Sequence, residues 1–264
     1  MGLVETYDYI NNELADKRVT EWWFMSTPWP MLLISASYLY FIKICGPRYM
    51  RDRKPYSLKS FLSAYNIFQV LVNVWINYRL LTAGWLTHLT TGCEPMDYSL
   101  DPMALRQVDA MWWTMIVKLI DLSETAVFVF RKKDRQISFL HVYHHCTTLL
   151  ITWTSVKYFG GGMCTFPILV NNCVHIIMYS YYFLSSRGPK IQKMVNFVKP
   201  YITIVQMVQF ILLLLHASQA LSDSCDVTTV GAAIYIANLL INLLLFMNFY
   251  RQNYVQHKKT AKLE

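Results

Sequence analysis

The chain has 264 residues, of which 55% are hydrophobic and only 15% are charged, whereas soluble domains average about 25% charged residues. This composition excludes an ordinary soluble domain and indicates an integral membrane protein with several helices. The formal net charge of +8 would also suit a nucleic-acid-binding protein. The basic residues, however, fall in short segments between apolar stretches, so we predict no nucleic-acid partner.

A membrane-spanning helix needs about 20 mostly apolar residues, and the chain contains seven such segments. They lie at about residues 27–45, 60–81, 108–130, 138–159, 164–185, 199–218 and 229–250. We therefore predict an all-α integral membrane protein with seven transmembrane helices. They form a single polytopic domain over residues 1–264, with a disordered tail at 252–264. The third to sixth segments carry polar groups, and a strict hydropathy criterion can miss the third.

The basic residues predict the orientation of the helices. Seventeen of the 24 Lys and Arg residues fall in four segments, at 46–59, 131–137, 186–199 and 251–262. Seven spans place all four segments on the same side, and the opposite segments are acidic or short. Because cytosolic loops carry the excess of Lys and Arg, we predict a lumenal N-terminus and a cytosolic C-terminus. The excess also favours anionic headgroups and phosphorylated ligands.

Two of the six cysteines lie in loops on the oxidising side. Cys93 follows the second segment and Cys225 follows the sixth, so we predict a disulfide between them. The other four are interpreted as small buried hydrophobic residues: Cys45, Cys146, Cys164 and Cys173. The cysteines show no spacing typical of a metal site.

The third segment contains three ionisable residues at helical spacing, Lys118, Asp121 and Glu124, with Thr125 beside them. Two acids and one base in lipid must pair or line a polar cavity. One interpretation is an ion-paired clasp between helices. The other is a group that orients or charges a histidine in a neighbouring segment.

The fourth segment carries the densest cluster of functional groups in the chain. His141, His144 and His145 occupy positions i, i+3 and i+4, which share one face of a helix. Ionisable residues inside a membrane helix are costly and mark functional sites. Three histidines that only hydrogen-bond to their neighbours are the alternative.

The fifth and sixth segments each carry a polar stripe on an otherwise apolar helix. On the fifth, the stripe consists of Asn171, His175, Tyr179 and Tyr182, and on the sixth of Thr203, Gln206 and Gln209. Interhelical hydrogen bonds are the alternative reading of both stripes. With alternating helix directions, the polar groups of four segments fall in one layer in the cytosolic half of the membrane. Such a layer, with apolar helices beyond it, suits a ligand with a charged head and a long acyl tail.

These motifs resemble those of the very-long-chain fatty acid elongases, the condensing enzymes of the endoplasmic reticulum. The histidine box reads Gln136-Ile-Ser-Phe-Leu-His141-Val-Tyr-His144-His145, and the motif of the fifth segment runs from Asn171 to Tyr182. The sixth segment carries Thr203-Ile-Val-Gln206-Met-Val-Gln209. One motif departs from the family pattern: Lys-x-x-Glu-x-x-Asp-Thr is here Lys118-x-x-Asp121-x-x-Glu124-Thr125.

The resemblance implies a fold, a reaction and a location. Six of the seven helices would form a ring around an acyl tunnel that is closed at the lumenal end. The reaction would join a long-chain acyl-CoA with malonyl-CoA to give 3-oxoacyl-CoA, CO2 and CoA, without a further cofactor or metal. The protein would reside in the endoplasmic reticulum membrane, self-associate, and cooperate with the other enzymes of the elongation cycle.

Imidazole can act as a nucleophile toward a thioester, as a general base or as an oxyanion donor. We expect His144 to accept the acyl group and His175 to bind malonyl-CoA, while His141 and His145 orient and tune. Supporting roles fall to Lys118, Asp121, Glu124, Asn171, Tyr179, Tyr182, Gln206 and Gln209. Cys146 or Cys173 is the rival nucleophile.

Two other classes of protein share parts of this pattern. His-x-x-His-His also occurs in di-iron desaturases and hydroxylases, in which imidazoles ligate iron. Those enzymes use more histidine ligands than the seven histidines of this chain provide. A seven-span receptor would place its ligand layer on the outer side, whereas the histidines of this chain fall in the cytosolic half. A transporter would need polar lining through to the lumen, and the lumenal side is apolar here.

Overall fold

The computed structural model describes residues 2–256. This part of the chain consists of ten α-helices joined by loops and by short π and 3₁₀ turns, and it contains no β-strand. The helices are α1 (Leu3–Asp8), α2 (Trp29–Tyr40), α3 (Gly46–Met50), α4 (Lys59–Leu80), α5 (Pro102–Phe130), α6 (Phe139–Tyr158), α7 (Phe166–Ser185), α8 (Pro189–Val195), α9 (Lys199–Ser218) and α10 (Thr229–Tyr250). The all-α prediction is therefore confirmed.

Each predicted membrane segment coincides with a helix. α9 and α10 have the predicted bounds, and the π turn Phe41–Cys45 joins α2 to α3. α5 begins six residues before the predicted position 108. Asp101 caps its first turn by accepting a hydrogen bond from the Met103 N–H at 2.8 Å, and Pro102 occupies the first helical position. Both residues are typical helix-start signals.

Four helical stretches of the described chain are long and apolar enough to cross a membrane. They are Trp29–Met50, Gly162–Ser185, Pro189–Leu221 and Thr229–Gln256. The chain is therefore a multi-pass membrane protein. α4, α5 and α6 do not meet the same criterion, because amide and ionisable side chains along them lower their hydropathy. Seven crossings, and a ring of six helices around a tunnel, stay predictions.

The C-terminal tail departs from its prediction. Residues 252–256 are not disordered, because the π-helical turn Arg251–Gln256 continues α10. The ring of Tyr254 contacts those of Phe249 and Tyr250, with centroids 6.2 and 5.3 Å apart. The rest of the predicted tail, residues 257–264, lies outside the described residues.

The described helices group into two compact units, and the single polytopic domain stays a prediction. The first unit comprises the chain up to Leu58, then Arg79–Leu89 and Pro95–Thr165. The second comprises Lys59–Tyr78, Thr90–Glu94 and the chain from Phe166 onward. Helices that follow one another closely pack together within each unit, α5 with α6 in the first and α9 with α10 in the second.

A buried ion pair fastens the N-terminal segment within the first unit. Asp16 and Arg18 pair at 2.7 Å, with 1% and 4% of their side chains exposed. Arg18 also donates hydrogen bonds to the carbonyls of Gly160 and Asp97, each at 2.7 Å. The Asp16 N–H donates to the Lys157 carbonyl at 2.9 Å. The segment is thereby tied to the end of α6 and to the loop before α5.

Replacing Arg18 by alanine is expected to lower the free energy of unfolding by about 3–5 kcal/mol, because the Asp16 charge stays buried without its partner. Thermal unfolding of the purified protein in detergent measures this effect. Lys17→Ala is the matched control, since Lys17 pairs with Glu13 on the surface at 3.6 Å and its loss is expected to cost no more than about 0.5 kcal/mol. An unfolding midpoint that falls no further in Arg18→Ala than in Lys17→Ala would show that the buried pair does not contribute to stability.

In the second unit, α9 packs against both α7 and α10. The side chains of Phe210, Leu213, Ala217 and Leu239 form its apolar core. A disulfide joins Cys93 and Cys225, the pair that the sequence predicts, with Cα atoms 5.7 Å apart. It ties the loop 90–94 to the loop between α9 and α10.

Replacing Cys93 and Cys225 together by serine is expected to lower the free energy of unfolding by about 2–4 kcal/mol, because the disulfide restricts the unfolded chain. The measurement is thermal unfolding with and without reductant. Reductant should lower the wild-type midpoint to that of the variant and leave the variant unchanged. A wild-type midpoint that stays high after verified reduction of the disulfide would contradict the prediction.

Candidate active site

The start of α6 positions the histidine cluster. Ser138 caps the helix by accepting a hydrogen bond from the His141 N–H at 3.2 Å. From this start, helical spacing places the three histidines together. The ring centroids of His141 and His145 lie 4.2 Å apart, and those of His144 and His145 lie 5.8 Å apart. The result is one contiguous group of imidazoles.

A chain of hydroxyl groups holds His141 in place. Its Nε2 lies 2.8 Å from the Thr125 Oγ1 on α5, and that hydroxyl lies 2.8 Å from the Tyr38 hydroxyl on α2. The ring of Phe128 packs against the imidazole with centroids 5.3 Å apart. Three side chains from two helices therefore fix the orientation of this ring.

The ionisable residues Lys118, Asp121 and Glu124 of α5 make two different contacts. Lys118 and Asp121 pair within the helix, with Nζ and Oδ2 3.6 Å apart. Glu124 places its Oε2 3.9 Å from the Nε2 of His145, and both side chains are nearly buried. The Glu124 carboxylate therefore faces a histidine on the neighbouring helix, and its role in orienting or charging that histidine stays a prediction.

In the second unit, α7 and α9 carry the other predicted residues. His175 and Tyr179 are buried, and their rings meet edge to face with centroids 5.6 Å apart. Gln206 donates a hydrogen bond to the sulfur of Met178 at 3.6 Å, which links the polar stripe of α9 to α7. Gln209 is buried on the same helix.

The buried face of α7 differs from the predicted stripe at both ends. Asn172 is buried and donates to the Asn77 Oδ1 at 3.0 Å, whereas Asn171 is only partly buried. Tyr182 is exposed, although its ring contacts that of Tyr179 at 6.0 Å. At 3.6 residues per turn, positions 172, 175 and 179 share a narrower face than the predicted set. Asn171 and Tyr182 lie at its margins.

Sequence reasoning missed two groups of polar residues. The first is Tyr38, whose link to His141 depends on how α2 packs and has no local signal. The second is a polar ladder on α4, defined by the buried residues Tyr65, Gln69, Asn73 and Asn77. Their regular spacing of four residues could have shown it.

The contacts of the histidine cluster indicate which kind of chemistry it is suited to. Within residues 2–256, no three His, Cys, Asp or Glu side chains are arranged to hold a metal ion. The imidazoles contact a hydroxyl, a carboxylate and each other. This arrangement is suited to nucleophilic and acid–base chemistry.

A multi-pass membrane protein with nearly buried imidazoles and carboxylates on its helices is typical of a membrane-embedded enzyme. The model of the ELO: GNS1/SUR4 family matches residues 23–262, and the chain belongs to this family.

Curated relatives cover nearly the whole chain. Very long chain fatty acid elongase 7 of Drosophila melanogaster is 38% identical over 250 residues, which are 94% of this chain and 75% of the relative. Elongase 4 of Mus musculus is 38% identical over 251 residues, 94% of this chain and 80% of the relative. Elongase 7 of Rattus norvegicus is 38% identical over 250 residues, 94% and 89% of the two chains.

Proposed function

We propose that this protein is the condensing enzyme of fatty acid elongation, a 3-oxoacyl-CoA synthase. It joins a long-chain acyl-CoA with malonyl-CoA and releases 3-oxoacyl-CoA, CO2 and CoA. The observation that carries the proposal is the group of three imidazoles on α6, set against the Thr125 hydroxyl and the Glu124 carboxylate of α5. Membership of the ELO family, and relatives named very long chain fatty acid elongases, support it.

In the first step, an imidazole nitrogen attacks the thioester carbon of acyl-CoA, and the carbon–sulfur bond breaks. We assign this nitrogen to His144. His141 is engaged with Thr125. The ring of His145 contacts that of His144, and its Nε2 faces the Glu124 carboxylate, so we assign to it the relay of the proton that His144 loses. That proton leaves with the thiolate, so the products are acyl-imidazole and CoA.

In the second step, malonyl-CoA loses CO2 and becomes an enolate. The enolate carbon attacks the acyl carbon, the carbon–nitrogen bond breaks, and one proton from solvent restores His144. His175 binds the malonyl thioester, and Asn171, Gln206 and Gln209 supply hydrogen bonds to the developing oxyanions. Tyr179 supports the ring of His175, which it contacts edge to face.

The proposal includes the setting of the enzyme. It resides in the endoplasmic reticulum membrane with seven spans, a lumenal N-terminus and a cytosolic C-terminus. Its substrates are acyl-CoA and malonyl-CoA, and it needs no further cofactor. It self-associates and works with the other enzymes of the elongation cycle.

The decisive experiment incubates the purified protein with a long-chain acyl-CoA, first alone and then with malonyl-CoA. Stoichiometric CoA release without malonyl-CoA, together with an acyl-sized gain in intact mass, is the expected result. After malonyl-CoA is added, formation of 3-oxoacyl-CoA is the second expected result. No release before malonyl-CoA is added would overturn the acyl-imidazole step, and no 3-oxoacyl-CoA at all would overturn the proposed function.

Thr125→Val is expected to lower the rate of elongation about tenfold to a hundredfold, because His141 loses the hydroxyl that orients its ring. The measurement is kcat for 3-oxoacyl-CoA formation beside the unfolding midpoint. Thr154→Val is the matched control, since Thr154 is exposed and, within the described part of the chain, its hydroxyl bonds only to the Leu150 carbonyl of its own helix at 2.9 Å. Unchanged kcat in Thr125→Val would show that the hydroxyl does not position His141.

A further inference from the structure

The polar ladder of α4 lies on one face of that helix. Tyr65, Gln69, Asn73 and Asn77 follow one another at four-residue intervals, and all four are buried. Leu71 and Tyr78, on other faces, are more than 60% exposed. Burying three amides and a phenol in a helix of a membrane protein is costly unless hydrogen bonds compensate. The hydrogen bonds and ring contacts of these four side chains therefore show which part of the protein they face.

Both ends of the ladder contact α7. The ring of Tyr65 meets that of Tyr179 edge to face, with centroids 5.9 Å apart. Asn77 donates to the Leu169 carbonyl at 3.2 Å and accepts from Asn172 at 3.0 Å. As the residue number rises along α4, that of its partners falls along α7. The two helices are therefore antiparallel, with the ladder facing α7.

These contacts fix the level of the middle of the ladder. Because both helices rise 1.5 Å per residue, positions 69–73 lie opposite roughly residues 173–177 of α7. His175 is at the centre of that interval. Gln69 and Asn73 therefore lie at the depth of the histidine to which we assign malonyl-CoA.

Asn73 differs from the other members of the ladder in one respect. Its Nδ2 donates to the Gln69 carbonyl at 2.7 Å and lies 3.3 Å from the Gln69 Oε1. Its Oδ1 has no hydrogen-bond partner among residues 2–256, although only 1% of the residue is exposed. Buried carbonyl oxygens are rarely left in this state in folded proteins. The group is therefore suited to accept a hydrogen bond from a bound molecule.

We propose that Asn73 binds substrate, its Oδ1 accepting the N–H of the CoA amide that lies two methylene groups from the thioester sulfur. This inference rests on the proposed function. When His175 holds the thioester carbonyl, only two methylene groups separate the thioester sulfur from this amide, so the amide lies near His175. The buried Asn73 Oδ1 is an acceptor, so it selects a hydrogen-bond donor such as the amide N–H. The malonyl carboxylate is not the partner, because an acceptor oxygen repels it.

Asn242 on α10 is a matched control. Its Nδ2 donates to the Asn238 carbonyl and Oδ1 at 2.9 and 3.3 Å, and its Oδ1 likewise has no partner in the described chain. Its burial equals that of Asn73. Its helix neighbours Leu239 and Leu243 belong to the apolar cluster of the second unit.

The test measures elongation kinetics with the full-length protein and two malonyl thioesters. One is the S-(2-acetamidoethyl) thioester, which retains the amide N–H, and the other is its ester analogue, in which oxygen replaces N–H. Wild type is expected to have about a tenfold lower KM for the amide than for the ester. Asn73→Leu should lose that preference and raise KM for malonyl-CoA about tenfold, with kcat changed less than about threefold. Asn242→Leu should keep both wild-type values.

Each kinetic outcome either supports or overturns the assignment of Asn73. An unchanged KM in Asn73→Leu, equal losses in both variants, or a wild type indifferent to the N–H would overturn the assignment. The last comparison needs no variant, so it holds even if Asn73→Leu fails to fold. A wild type that makes no 3-oxoacyl-CoA from malonyl-CoA overturns the proposed function instead, which separates the two failures.

Discussion

Replacing His144 by alanine is expected to abolish the acyl-enzyme adduct and to lower the rate of condensation at least about a thousandfold. The imidazole that forms the covalent bond is gone, and its neighbours His141 and His145 are held by Thr125 and Glu124. Intact mass after incubation with a long-chain acyl-CoA measures the adduct. CoA release in the same sample measures the step that forms it.

Two controls isolate the nucleophile. His145→Ala should slow adduct formation without abolishing it, because it removes the proton relay and leaves the attacking nitrogen. Cys146→Ala combined with Cys173→Ala should form the adduct at the wild-type rate. An adduct that persists in His144→Ala would show that the acyl group is held elsewhere, and peptide mapping would locate it.

The sequence predicts the apolar helices better than the polar ones. α9 and α10 have their predicted bounds because each is one long apolar run flanked by polar residues, from Lys199 to Ser218 and from Thr229 to the residue before Arg251. α5 starts earlier than predicted, since Asp101 and Pro102 begin the helix where hydropathy is still low. Hydropathy depends on side-chain transfer free energies, whereas the first and last residues of a helix are set by its caps. Bounds predicted from hydropathy are therefore right only where the apolar segment and the helix have the same ends.

The candidate site shows a similar division. Helical spacing was enough to predict that His141, His144 and His145 lie together. It could not predict the link of Tyr38 to Thr125 or the burial of the neighbouring residues Asp16 and Arg18, because both depend on segments far apart in sequence that meet only after folding. The ladder of α4 was readable from its four-residue spacing, but it lies in a segment whose other faces are apolar.

Replacing His175 by alanine is expected to separate the two half-reactions. The acyl adduct should form with wild-type stoichiometry, while 3-oxoacyl-CoA formation falls at least about a thousandfold. His175 is assigned to the malonyl thioester, so its loss leaves the enolate oxygen without the imidazole that binds it but does not touch the acyl acceptor His144. The acyl adduct should therefore accumulate when malonyl-CoA is present, and intact mass follows it over time.

His216 provides the matched control for this prediction. It is a second buried histidine of the same unit, and its ring packs against that of Phe166 with centroids 4.3 Å apart. His216→Ala should retain elongation within about threefold, even where its unfolding midpoint falls from the lost packing. If His175→Ala fails to form the adduct, His175 belongs to the acyl-transfer step. If it elongates at the wild-type rate, the buried imidazole on α7 is structural, and decarboxylation depends on other residues.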